Sequence, residues 1–218
     1  MKRPGVIFDM DGLLLDTERI CLEVFVQTRR AFSLPESPEV YLSCVGLHAS
    51  ACSEIIAQSV REKATLKDFN RAWDARIEDA MRRGIPVKPG ALDVLETLSG
   101  HGYPVAVATS TRTETASQRL EASGLLKYIQ TVVGGDHVTR PKPDPEAYIA
   151  AAASLGYNAE DCIAFEDTDT GVRAAVASGA RTVQVPDLVP PSADVIALGH
   201  LIVPNLIEGA VSMGLMTD

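Results

Sequence analysis

Val6-Ile7-Phe8-Asp9-Met10-Asp11-Gly12 joins a short apolar run to two carboxylates two residues apart and then to a glycine. The run is too short for a helix and is followed at once by turn residues, so it predicts a buried strand. Four further runs read the same way: Val105–Ala108, Thr131–Val133, Cys162–Phe165 and Thr182–Val185. Helical patterns lie between them. Ala91–Leu98 carries apolar residues at i, i+3 and i+4 and is stopped by Gly100. Thr113–Ser123 is followed by Gly124, Pro145–Leu155 starts with proline in its first turn and ends at Gly156, and Gly171–Ser178 ends at Gly179. Strands that alternate with helices of this length predict an α/β fold, a parallel sheet with helices on both faces. Ligands of such sheets bind beyond the carboxyl ends of the strands, which is where Asp9 and Asp11 fall.

One segment breaks the alternation. From about Asp16 to Gly84 there is no convincing strand; Thr17–Phe32, Ser50–Val60 and Leu66–Arg83 read as helices and Ser33–Pro38 as a turn. The expected organisation is therefore a core of residues 1–15 and 86–218 interrupted by an all-helical insert, residues 16–85, that closes near Ile85–Gly90.

Composition limits the partners. The chain of 218 residues is 46% hydrophobic, which supports a globular fold with a sizeable core. Its formal net charge is −9 with no compensating basic stretch, so no nucleic-acid partner is expected. The same charge repels phosphate esters, so a site for them needs a local cation, from a metal, a lysine or both. Cys21, Cys44, Cys52 and Cys162 are scattered, without a Cys-x-x-Cys pair or a Cys/His cluster, which disfavours zinc and reads as reduced thiols. The short apolar stretch before Asp9 leaves no room for an ordinary signal peptide, and Val195–Met216 is broken by His200, Pro204, Asn205 and Glu208. A cytoplasmic monomer without membrane contact is the default expectation.

Four strand ends offer chemistry. A carboxylate such as Asp9 can attack phosphorus, and a second one such as Asp11 can pass a proton, although Asp and Gly are equally at home in a plain strand-end turn. Thr109-Ser110-Thr111 follows the second run with hydroxyls and amides suited to phosphate oxygens or to a helix N-cap. Lys142 stands between Pro141 and Pro143, which suits either a fixed counter-charge or a surface turn. Glu166 and Asp167 offer hard oxygen ligands for Mg²⁺, or a solvated acidic loop. Two acidic loops facing each other repel without a cation, so together they point to a metal better than either alone.

These motifs, in this order, resemble the haloacid dehalogenase superfamily over nearly the whole chain. Phe8-Asp9-Met10-Asp11-Gly12-Leu13-Leu14-Leu15-Asp16-Thr17-Glu18 is similar to its first motif, Thr109 to its second, Lys142 in Lys-Pro-Asp-Pro to its third, and Phe165-Glu166-Asp167 with Gly171 to its fourth. The resemblance implies a Rossmann-like catalytic core with a helical cap inserted after the first motif. It implies Asp9 as nucleophile and Asp11 as general acid and base. Mg²⁺ would be held by the Asp9 carboxylate, the Asp11 backbone carbonyl and Asp167, with Glu166 a further ligand or acting through water. Thr109 and the Ser110 amide would bind phosphate, and Lys142 would neutralise the nucleophile and the phosphoryl group.

Departures from related patterns narrow the expectation. The superfamily's dehalogenases lack the second carboxylate that Asp11 supplies here, and its phosphonate-cleaving members use a cap lysine that Lys63 and Lys67 do not match. Similarity is greatest to the sugar-phosphate phosphatases and β-phosphoglucomutases. The mutases carry a histidine where Cys21 stands and an arginine in the cap loop, yet Val45–Ala49 holds none. The expected activity is thus hydrolysis of a small phosphorylated metabolite; a phosphosugar mutase and a non-enzymatic sugar-phosphate sensor are the alternatives. Glu18, His48 and Arg112 are further residues that could face a substrate.

Overall fold

The structure is a computed structural model that describes residues 3–47 and 49–217. The chain divides into two compact units, Met1–Leu15 with Pro86–Asp218, and Asp16–Ile85.

In the first unit six strands form one sheet: β1 (Gly5–Phe8), β2 (Val105–Ala108), β3 (Thr131–Val133), β4 (Cys162–Glu166), β5 (Arg181–Gln184) and β6 (Leu201–Ile202). Their order is β3-β2-β1-β4-β5-β6 and every pairing is parallel. The architecture is the Rossmann-like α/β fold expected from the alternating pattern. Strand β1 sits between β2 and β4, with Phe8 level with Val107 on one side and Phe165 on the other. All four of its residues are buried, as a central parallel strand requires.

The second unit, interrupting the first after Leu15, contains α1 (Thr17–Ala31), α2 (Pro38–Leu42), α3 (Ala49–Val60) and α4 (Leu66–Arg82). The chain then returns to the first unit with α5 (Ala91–Gly100), α6 (Thr113–Ala122), α7 (Glu146–Ser154), α8 (Asp169–Ala177), α9 (Ala193–Ile196) and α10 (Leu206–Ser212). The two faces of the sheet pack differently. Ile7, Ala106 and Ala164 meet an alanine-rich face built by Ala151 and Ala152 of α7 and Ala174 and Ala175 of α8, where small side chains let helix and strand approach closely. On the other face Phe8 and Phe165 stack with ring centroids 4.9 Å apart, and a Cβ on Gly209 of α10 would lie 2.9 Å from the Phe165 ring.

Differences from the sequence reading are local. Gly100 is the last residue of α5 rather than its stop; Gly102, at φ +69°, turns the chain instead. Strand β6 and helices α2, α9 and α10 lie outside the segments read as regular structure. β6 has only two residues, both half-buried, so it leaves no apolar run to read.

The helical unit has its own core. Phe25, Tyr41, Phe69 and Trp73 pack edge to face or tilted, at centroid distances of 5.2–6.2 Å. Arg29 is 3% exposed in this core and is satisfied by donating to the Pro35 carbonyl at 2.6 Å and to Ser59 Oγ at 2.9 Å. Thr65 caps α4 by accepting from the Asp68 N–H at 3.1 Å. Among the described residues there is no helix long and apolar enough to cross a membrane.

Candidate active site

Parallel register puts the polar residues at one level. Because Phe8 is level with Val107 and Phe165, the next residue of each chain segment, Asp9, Ala108 and Glu166, falls at the same carboxyl end of the sheet. Lys142 reaches this point from the loop before α7. Its Nζ donates to Asp9 Oδ1 at 2.6 Å, to the Ala108 carbonyl at 3.0 Å and to Glu166 Oε1. One ammonium thus ties the ends of three adjacent strands. The lysine side chain is 7% exposed and that of Asp9 10%, so little water screens the pair.

Burial and charge pull against each other here. Burial pushes the Asp9 carboxyl up to about 8 from 3.8, opposed by the Lys142 ammonium and helped by the Glu166 and Asp11 carboxylates. Burial alone would lower Lys142, but Asp9 and Glu166 overcome it and hold the ammonium above its ordinary value. Three carboxylates, Asp9, Glu166 and Asp167, offer oxygens all within 4.8 Å of one another, and all three residues are buried.

Glu166 is already committed. Its Oε1 accepts from Lys142 and from the Tyr148 hydroxyl at 2.7 Å, and its Oε2 from the N–H groups of Asp167 at 3.0 Å and Thr168 at 3.3 Å. Helix α8 packs directly on this carboxylate: a Cβ on Gly171 would fall 1.9 Å from Glu166 Oε1. Glycine is required there because any side chain would displace the acid that holds Lys142.

Asp11 is held separately. Its Oδ2 accepts from Thr109 Oγ1 at 3.2 Å and Thr111 Oγ1 at 2.7 Å, and its Oδ1 lies 3.2 Å from Arg119 Nη1. The Thr109 hydroxyl in turn accepts from the Thr111 N–H at 3.1 Å, which fixes the bend after β2. Gly134 and Gly135 let the β3 loop touch that bend, since Cβ atoms there would sit 2.3 Å from the Thr113 nitrogen and 2.5 Å from the Ser110 carbonyl oxygen. Ser110 is exposed at the strand end, and exposed Arg112 precedes α6.

Asp9, Lys142, Glu166 and Asp167 come together as one cluster, and Thr109 joins Asp11 beside it. Arg119 and Tyr148 are additions that motif reading missed. Each sits inside a helix, where arginine reads as surface and tyrosine as core; only the ends of the strands they approach give them meaning. Glu18 belongs to the helical unit, where its carboxylate accepts from the Tyr41 hydroxyl at 2.7 Å. His48 lies outside the described residues.

The family model for haloacid dehalogenase-like hydrolases matches residues 6–185. The chain belongs to this family. A relative of the haloacid dehalogenase-like hydrolases from Thermotoga maritima, a phosphorylated carbohydrates phosphatase, is 30% identical over 175 residues, covering 80% of this chain and 81% of its own. Hexitol phosphatase A of Escherichia coli is 30% identical over 186 residues, covering 85% and 84%. Among solved structures, a haloacid dehalogenase family hydrolase from Deinococcus radiodurans with bound phosphate and sodium superposes with a TM-score of 0.83 at 27% identity, over 99% of this chain and 98% of that one. The chain is a phosphatase of the haloacid dehalogenase type.

Proposed function

We propose that the chain is a Mg²⁺-dependent phosphomonoesterase of small phosphorylated carbohydrates that works through an aspartyl phosphate on Asp9. The observation that carries this reading is the buried Asp9–Lys142 pair at 2.6 Å, with two further carboxylates beside it. A lysine alone leaves the cluster with surplus negative charge, and an all-oxygen donor set suits a hard divalent cation. Because the Glu166 oxygens are taken by Lys142, Tyr148 and two backbone N–H groups, the residues that would hold the ion are Asp9, Asp167 and the Asp11 main chain. Bound there, Mg²⁺ would supply positive charge to the phosphoryl oxygens.

The protein's own groups account for the rest. An Asp9 oxygen attacks phosphorus in line, the ester P–O bond breaks, and the Asp11 carboxyl gives its proton to the departing sugar oxygen. Asp11, now a carboxylate, takes a proton from water as that water attacks the aspartyl phosphate. Inorganic phosphate leaves and both aspartates return to their starting states. Lys142 keeps Asp9 oriented and offsets the charge that collects on the phosphoryl group. The Thr109 hydroxyl and Ser110 amide would receive phosphate oxygens. Residues 16–85 would act as the cap that admits substrate.

Asp9→Asn tests the mechanism. It should abolish phosphate release from a panel of phosphorylated sugars and hexitols, and wild-type turnover by this variant would refute covalent catalysis at Asp9.

A further inference from the structure

Three of the four cysteines fall in the helical unit, and the fold sorts them. Cys21 engages the Tyr41 hydroxyl, while Cys44 and Cys52 face each other. Cys44 directly follows the C-cap residue of α2, and Cys52 stands in the first turn of α3, eight positions on. The Cys52 sulfur lies 3.2 Å from the Cys44 carbonyl oxygen, and the Cys44 sulfur lies 3.9 Å from the Cys52 carbonyl oxygen. Reciprocal contacts of this kind hold only for residues lying side by side. The thiols also act on each other: burial, and the Cys52 thiol beside it, push the Cys44 thiol up to about 11 from 9.0. Both are free thiols.

Neither is sealed in a core. Both are half-buried, and both line a cavity of about 310 Å³ within the helical unit, which gives a small peroxide a way to reach them. Cys162 shows the other kind of cysteine. It is fully buried, its sulfur would lie 2.8 Å from a Cβ on Gly5 of β1, and it serves as a small apolar filler. Buried cysteines of that kind are inert, whereas two reachable thiols in contact are placed to form a disulfide.

We infer that Cys44 and Cys52 form a reversible disulfide site that responds to hydroperoxides and fastens α2 to α3. The site is independent of the reaction at Asp9. With hydrogen peroxide the oxidation runs in two parts. The Cys52 sulfur, its proton taken up by solvent, attacks one peroxide oxygen; the O–O bond breaks, and the released hydroxide takes a proton to become water. Cys52 is then a sulfenic acid. Cys44, whose surroundings make it hold its proton longer, attacks that sulfur, and its proton leaves with the hydroxyl as a second water. The two sulfurs are oxidised and the peroxide is reduced: two thiols and one peroxide give one disulfide and two waters. A dithiol reductant reverses the bond by exchange.

Trypsin leaves the pair in a single peptide, Ala31–Arg61, which holds no other cysteine. Full-length reduced protein should be treated with a slight excess of hydrogen peroxide, alkylated, digested and weighed. The expected peptide is two hydrogens lighter and takes up no alkyl group until dithiothreitol restores it, while Cys21 and Cys162 are alkylated throughout. Cys44→Ser should prevent the bond and leave a sulfenic acid on Cys52 that dimedone traps. Cys52→Ser should leave Cys44 open to alkylation at the same dose. Oxidised wild-type protein should melt roughly 5 °C higher than reduced protein, because the bridge constrains the unfolded chain. Uniform oxidation of all four cysteines would overturn the inference. So would a wild-type peptide 31–61 that gains oxygen without forming the bond, a bridge to Cys21 or to a second chain, or a fall in Tm on oxidation. None of these readouts depends on turnover, so the site and the phosphatase reading stand or fall separately.

Discussion

Arg119 Nη1 lies 3.2 Å from Asp11 Oδ1, and both side chains are about one-fifth exposed. With Thr109 and Thr111 on the other carboxylate oxygen, the arginine leaves Asp11 little rotational freedom. A general acid works only within hydrogen-bond reach of the leaving oxygen, so its orientation is part of the rate. Arg119→Met should lower kcat for a hexitol phosphate roughly 10- to 100-fold, within the range general acid catalysis supplies. It should change p-nitrophenyl phosphate hydrolysis much less, because that phenolate departs without a proton. Equal losses on both substrates would place the effect in the step they share, where Asp11 takes a proton from water, and unchanged kcat on both would show that Arg119 does not act through Asp11.

The Tyr148 hydroxyl, fully buried, donates to Glu166 Oε1 at 2.7 Å beside the Lys142 ammonium. Tyr148→Phe keeps the ring and removes one donor. The expected loss of stability is about 1 kcal/mol, measured by urea denaturation. Steady-state kinetics should show kcat reduced with KM little changed, because Lys142 loses alignment rather than charge. A variant with wild-type kcat would leave Tyr148 a purely structural residue.

Alanine in place of a helical glycine ordinarily stabilises by up to about 1 kcal/mol. At Gly171 the sign should reverse. The new methyl would overlap the Glu166 carboxylate, and overpacking of this kind costs about 1–3 kcal/mol. Gly171→Ala should therefore lower the denaturation midpoint and lose activity together, through displacement of Glu166 and then Lys142. A stabilised, active variant would contradict the packing described.

The buried Asp9 carboxyl supplies the pH dependence. Its value is raised from 3.8 to about 8 in the metal-free fold, so between those values the folded state binds more protons than the unfolded one. Its stabilising contribution is complete below pH 3.8 and is lost as pH rises through about 8. Metal-free protein should therefore become less thermostable from pH 5 to 8 through this group. A cation held by Asp9 competes with that proton, so the rise in Tm produced by Mg²⁺ should grow as pH increases towards 8. A Mg²⁺ effect independent of pH over this range would argue that Asp9 is not a ligand.

The polar ends of β1, β2 and β4 were legible because each of these strands is a short, buried run that gives way to a polar residue. Phe8 before Asp9, Ala108 before Thr109 and Phe165 before Glu166 mark the boundary between core and chemistry by a change of polarity alone. What the sequence hid are relations across elements. Nothing local tells that Arg119, late in α6, meets a carboxylate 108 positions earlier, or that Tyr148, while filling core, also donates to Glu166. Strand β6 was hidden for the opposite reason: its two half-buried residues pair with β5 through backbone groups that every residue has.

Lys142 joins Asp9, Ala108 and Glu166, one at the end of each of three neighbouring strands. Replacing it with methionine would leave two buried carboxylates without their counter-charge, and breaking buried pairs of this kind costs about 3–5 kcal/mol. Selection for a stable fold therefore guards this lysine even where selection for turnover is relaxed. A gene descended from this one that drifted away from catalysis would be expected to shed Arg119 or Asp11 early and Lys142 late, so an intact lysine in a distant descendant is weaker testimony to activity than an intact Asp11.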